Sequence, residues 1–362
     1  MMRCFSSWMP ILGMVAANVG FATVNVLIKK TLDEGINHLV LITYRQCIAA
    51  AFLSPIAYVR ERKTRTKITA TIFCQIFLSA MLGATLTQYF FFIGMQYTTA
   101  TFSCAFLNMA PVVTFMIALP MGLETLNVKS MGGKAKILGT ITSTVGAMVL
   151  TFYKGVLLTH TSHQGPMVHA TPPESMAEHH HRMEKWTLGA LALLGGCFCW
   201  STWFLVQSKI SKNYPSVYSG TSIMFFLSVL QSASLSFATQ RGTSLWVLKG
   251  KLEIGTVVYS GLVGSGLGFL IMSWCVKQRG PVFTAAFSPL IQIFVAVIEF
   301  CFLHEQLHLG SVLGSMLVIA GLYFLLWGKS KELLNCEAEQ GCESKQDQEN
   351  NKEDEGLRVE QV

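Results

Sequence analysis

Few side chains in this 362-residue chain have the character for chemistry, and their spacing narrows what that chemistry is. His304, Glu305 and His308 read H-E-Q-L-H, the zinc-protease pattern in which two histidines one helical turn apart hold the metal and the glutamate acts as base. That site needs both histidines on one continuous helix, a third protein ligand and a position for water. Here the pattern falls in a tight turn between two apolar runs, and no other acid offers itself as third ligand. An intramembrane metalloprotease is therefore the minor reading, and no metal or cofactor is expected. Asn108 precedes Pro111 by three residues, whereas Pro289 precedes Gln292 by three, so amide and proline exchange places between two segments. Each proline removes a backbone donor, which is expected to leave the carbonyls of Leu107 and Ala285 unpaired. An amide beside a free carbonyl suits a polar solute, and it equally suits a bond to a neighbouring helix.

Two ionisable residues, Arg45 and Glu299, lie inside apolar runs. A charge at a helix centre costs roughly 2.5–3.5 kcal/mol on insertion scales. Opposite signs at similar depth suggest a mutual pair, or coupling groups in which Glu299 takes a proton and the planar fork of Arg45 meets a carboxylate. Separate snorkelling to the outer interface is the other reading.

The elements that hold these residues follow from composition. Hydrophobic residues make up 51% of the chain and charged ones 13%, about half the usual ~25%, and the mean hydropathy is +0.46. Basic residues sit in short gaps between apolar runs rather than in a patch with exposed aromatics, which excludes a nucleic-acid partner. A membrane helix needs roughly 20 apolar residues. Ten such runs occur, at about 9–28, 39–59, 71–95, 100–122, 136–153, 186–208, 217–239, 254–275, 281–303 and 308–327. With the N-terminus in the cytosol, fifteen Lys and Arg lie on the inner side and eight on the outer, so both termini are expected inside. Most of the ten cysteines lie in apolar runs or the C-terminal tail and are expected free.

Residues 99–127 and 280–308 repeat one another at an offset of 181: Phe102 with Phe283, Phe106 with Phe287, Glu124 with Glu305. After a short gap the offset becomes 175, pairing Gly139 with Gly314, Gly146 with Gly321 and Lys154 with Lys329. The expected fold is thus an all-α polytopic membrane protein of ten transmembrane helices, arranged as two inverted five-helix repeats. Its divisions are 1–153, a His-rich extracytosolic linker 154–185, 186–328, and an acidic disordered tail 329–362. Inverted repeats mark secondary transporters, with the solute held near the midplane. Substrate contacts are expected from Gln88, Tyr89, Asn108, Pro111, Ser265, Phe287, Ser288, Pro289 and Gln292, on the third, fourth, eighth and ninth spans. Gly261, Gly264, Gly266 and Gly268 read as close helix packing, and no nucleotide-binding loop occurs, so ATP is not the direct driver.

A family resemblance is carried by V-N-V-L-I-K-K-T-L-D-E-G at 24–35, T-Y-R-Q at 43–46, S-P-I-A-Y-V-R-E-R at 54–62 and A-K-I-L-G-T at 135–140. It continues with Y-K-G at 153–155, G-P-V-F-T-A-A-F-S-P-L at 280–290 and G-L-Y-F-L-L-W-G-K at 321–329. Together they resemble the plant nodulin-like transporters with paired EamA domains, the walls-are-thin-related (UMAMIT) group of the drug/metabolite transporter superfamily. The resemblance implies a ten-helix carrier in the lipid bilayer for a small-molecule substrate, amino acids first and auxin-like acids second. The expected location is the plasma membrane, with the vacuolar membrane as alternative. Oligomeric state is not readable.

Overall fold

The computed structural model describes residues 2–33, 36–63, 67–98, 106, 108–124, 130–153, 176–239, 246, 248, 250–303 and 309–331. They are helical nearly throughout: α1 Met2–Asp33, α2 His38–Glu61, α3 Ala70–Tyr97, α4 Ala110–Ala118, α5 Met131–Phe152, α6 Met176–Asn213, α7 Val217–Thr239, α8 Lys251–Arg279, α9 Pro281–Ala286, α10 Leu290–Leu303 and α11 Leu309–Lys331. Caps set several starts. The Asn37 side chain accepts from Leu39 N, that of Thr69 from Ile72 N and that of Ser130 from Gly133 N. Glu61, at the end of α2, accepts from the backbone of Tyr218 and Ser219 and so places a carboxylate on the N-terminus of α7.

Among the described residues, eight helices are long and apolar enough to cross a membrane. They coincide with eight of the ten expected runs. The expected fifth coincides with α5, although the helix begins at Met131 rather than 136, so Lys136 lies well inside the helix and is buried. Much of the expected fourth run, including 99–105 and 107, lies outside the described residues. At the other boundary α6 begins ten residues early, so the backbone at His179, His180 and His181 is already helical. Met, Ala, Glu, Arg and Lys dominate that stretch, and no glycine or proline follows Pro173 to stop them forming a helix. The remainder of the expected linker, the H-E-Q-L-H turn and the tail lie outside the described residues.

Both α3 and α8 widen in the middle. Ala80–Leu86 and Ser260–Gly268 adopt the π form, and Thr87 N reaches back five residues to Leu82 O. The widened turn of α3 lets a large ring in: a Cβ on Gly83 would overlap the indole of Trp203. Trp203 is fully buried at the centre of a cluster with Phe204, Phe225, Phe269 and Trp200. The outward faces carry Val19, Phe77, Leu191, Phe226 and Ile319 exposed, as a lipid-facing surface requires. Two pairs of neighbours run antiparallel. In α2 and α7, Gln46 meets Ser232, Ser54 meets Ser222 and Glu61 meets Ser219. In α5 and α11 the backbones touch: a Cβ on Gly146 would lie 2.6 Å from Val318 N, and one on Gly321 would overlap Ser143 N. Cys47, Cys74, Cys197, Cys199, Cys275 and Cys301 are free.

Candidate functional site

The chain between α9 and α10 is the chief irregularity. Ser288 N donates to Ala285 O at 3.0 Å, and Leu290 N donates to Phe287 O at 3.0 Å. These three-residue turns satisfy the backbone around Pro289, so the Ala285 carbonyl expected to stand free is in fact bonded. The Phe287 carbonyl gains a second donor from α1, the Asn18 amide at 2.9 Å. Phe287 and Pro289 are buried and Ser288 is half-buried. Leu107 lies outside the described residues.

Asn108 and Gln292 come together: Asn108 Nδ2 donates to Gln292 Oε1 at 2.6 Å. The Thr151 hydroxyl of α5 sits 3.4 Å from both. The two amides therefore bond one another across the bundle. Pro111 is buried in the first turn of α4, where the carbonyl of Ala110 accepts from Ser201 of α6 at 3.3 Å. Gln88 and Tyr89 follow the wide turn of α3, half-buried, and Gln88 Oε1 is sealed from solvent with no partner among the described residues.

Arg45 and Glu299 are kept apart in their bonding. Glu299 pairs with Lys29 of α1 at 3.1 Å. Arg45 is buried, and its Nε donates to the Ser265 hydroxyl in the wide turn of α8 at 2.6 Å. The expected mutual pair does not form, because each side chain has a nearer partner on another helix. Arg45 does not reach for an interface either.

Sequence reasoning passed over several polar groups that do structural work here. Gln46 donates to the Ala84 carbonyl in the wide turn of α3 at 2.8 Å and accepts from Ser232. Thr85 bonds Ser228 at 3.1 Å and donates to Gln231 at 3.0 Å. Glu124 takes Lys136 at 2.8 Å and Lys329 at 3.1 Å, with all three largely buried. A polar residue inside an apolar run was the available signal for Asn18, Gln46 and Gln231.

The sequence pattern of the EamA-like transporter family matches twice, at residues 8–152 and 187–327. The chain belongs to the EamA-like transporter family. Its relatives include the WAT1-related protein At3g30340 of Arabidopsis thaliana, 49% identical over 90% of this chain and 88% of that one. WAT1-related protein At4g01440 of the same plant is 41% identical over 95% and 93%. One solved crystal structure superposes on this EamA-like chain with a TM-score of 0.64 over 87% of it and 96% of the other, at 12% identity, and so shares the fold. Family membership makes this a multi-pass membrane protein of a transporter family and not an enzyme. It leaves the metalloprotease reading of His304, Glu305 and His308 without support.

Proposed function

We propose that the protein is a secondary carrier of small organic metabolites, working by alternating access between two inverted five-helix halves. The observation that carries this is internal symmetry. The third helix of each matched segment, α3 and α8, widens at the same place. Contacts also come in exchanged pairs: α1 packs on α8 as α3 packs on α6, and α1 on α10 as α4 on α6. The corresponding helices α2 and α7 run antiparallel, as do α5 and α11. An axis in the membrane plane requires that, whereas an axis along the membrane normal would make them parallel. Gly146 and Gly321, equivalent in the sequence repeat, each abut the other's helix at Val318 and Ser143, which are also equivalent.

On this reading both termini lie in the cytosol, where Glu124, Lys136 and Lys329 tie α5 to α11. The plasma membrane is favoured over the vacuolar membrane. The solute passes between α3, α4, α8 and the broken pair α9 and α10. Asn108 and Gln292 part to admit it, and the other contacts are Gln88, Tyr89, Pro111, Ser265, Phe287, Ser288 and Pro289. Arg45 and Glu299 supply coupling or gating. Amino acids are the first solutes to test and auxin-like acids the second. Radiolabelled uptake and efflux in oocytes, at acidic and neutral external pH, tests the carrier. Flux above water-injected controls is expected, and none of either class despite surface protein would overturn it.

A further inference from the structure

The two wide turns offer an internal comparison. Ser265 and Thr85 are each the sixth residue of their widened segments. Each hydroxyl is bonded by a side chain from the second helix of the opposite matched segment. Thr85 meets neutral groups on α7, Ser228 and Gln231. Ser265 meets the guanidinium of Arg45 on α2. One half of the molecule thus holds its wide turn with an amide, and the positive charge in the other half is surplus to that task.

Arg45 also has capacity left over. A guanidinium carries five N–H groups in a flat fork, of which the structure uses Nε alone. The remaining four have no acceptor among the described residues, and no carboxylate there approaches within ion-pair distance. Glu299, the acid expected at a similar depth, pairs instead with Lys29. The buried surroundings of Ser265 therefore carry one positive charge with no carboxylate partner among the described residues. In a medium of low dielectric, a charge of this kind is stabilised by an opposite charge in hydrogen-bonding contact. Phe269 lies one helical turn from Ser265 on α8 and meets Trp200 and Trp203 edge-on, so the ground next to the charged head is aromatic.

From this we infer that Arg45, seated by Ser265, is the head-group site of the transport path and that the site selects a monoanion: a carboxylate without a neighbouring ammonium. A monoanion leaves the loaded site neutral, a zwitterion leaves it positive and a cation doubles the charge. The inference rests on the carrier reading but narrows it, because it separates organic acids from amino acids.

Equilibrium binding to the purified full chain in nanodiscs tests this separately from flux. The radiolabelled probes are hydrocinnamate, phenylalanine (which adds only the ammonium), hydrocinnamide and phenethylamine. Hydrocinnamate is expected to bind at least about tenfold more tightly than the other three, the scale of a charged hydrogen bond. Arg45→Gln, which copies the amide of the other half, keeps the fold by thermal unfolding and brings hydrocinnamate down to the level of hydrocinnamide. Arg45→Lys keeps part of the preference. The inference is overturned if folded Arg45→Gln still prefers the anion, if phenylalanine binds as tightly as hydrocinnamate, or if no carboxylate binds the wild-type chain. Anion binding without flux of any solute would sink the carrier reading and leave the site standing. Flux indifferent to Arg45 would do the reverse.

Discussion

Two buried sets of charges in this protein are built on opposite plans. At one end, Glu124 sits between Lys136 and Lys329 with side-chain exposures of 6%, 2% and 14%, and bonds both lysines. In the middle, Arg45 is equally buried at 9% and spends one N–H on a neutral serine. The cluster ties two helices whose glycines let their backbones touch, since a Cβ on Gly328 would lie 2.7 Å from Gly132 O and 3.0 Å from Lys136 N. Arg45 instead lies beside a widened helix, where the regular backbone ladder is already relaxed. Close packing in which each buried ammonium touches a carboxylate is architecture. A lone charge beside loosened backbone keeps its valence for something that comes and goes.

The comparison breaks most visibly at Glu124. Glu124→Gln leaves two buried ammonium groups facing each other, and losing one partner of a buried pair costs about 3–5 kcal/mol. Thermal unfolding of the detergent-purified protein should show the loss, and an unchanged midpoint would mean that the cluster is not structural. Gly321→Ala comes next. Its new Cβ would overlap the Ser143 backbone, so α5 and α11 must separate. Overpacking of this kind costs roughly 1–3 kcal/mol, and the same unfolding measurement reads it. A variant as stable as wild type would mean that the two helices part freely.

How much of this was legible beforehand differs between the regions. Spans follow from runs of apolar residues, which is why eight of the expected ones reappear among the described helices. Asn108 and Gln292 are amides three residues from a proline, one before it and one after, and they do meet. The cluster at Glu124 is hidden because Lys136 stands at the very edge of the expected run 136–153. Apolar periodicity does not register a helix that starts five residues early with two lysines on it. Wide turns leave no reliable mark in sequence either. Gly83, Gly261 and Gly264 permit close approach, but the extra residue per turn depends on what packs there: Trp203 against α3, Ile48 and Val24 against α8. Partner choice was the least legible. Depth alone suggested Arg45 with Glu299, whereas direction around the helix sent one to Ser265 and the other to Lys29.

Arg45→Gln is expected to change stability by less than about 1 kcal/mol, because the cost of an unpaired intramembrane charge, roughly 2.5–3.5 kcal/mol at the centre, offsets the bond lost to Ser265. A large fall in the unfolding midpoint would place Arg45 with the architectural charges. The smallest effect belongs to Lys29 and Glu299. That pair has the same partners' chemistry as the cluster but not its seclusion, with the Lys29 side chain 55% exposed and Glu299 18%. Exposed pairs are worth about 0–1 kcal/mol and weaken in salt. Lys29→Met should therefore leave thermal stability nearly unchanged in salt, while Glu299→Gln should flatten the dependence of flux on external pH without loss of surface protein. Flux that keeps its pH dependence in Glu299→Gln would remove Glu299 from the coupling and reduce it to a surface contact of α1 and α10.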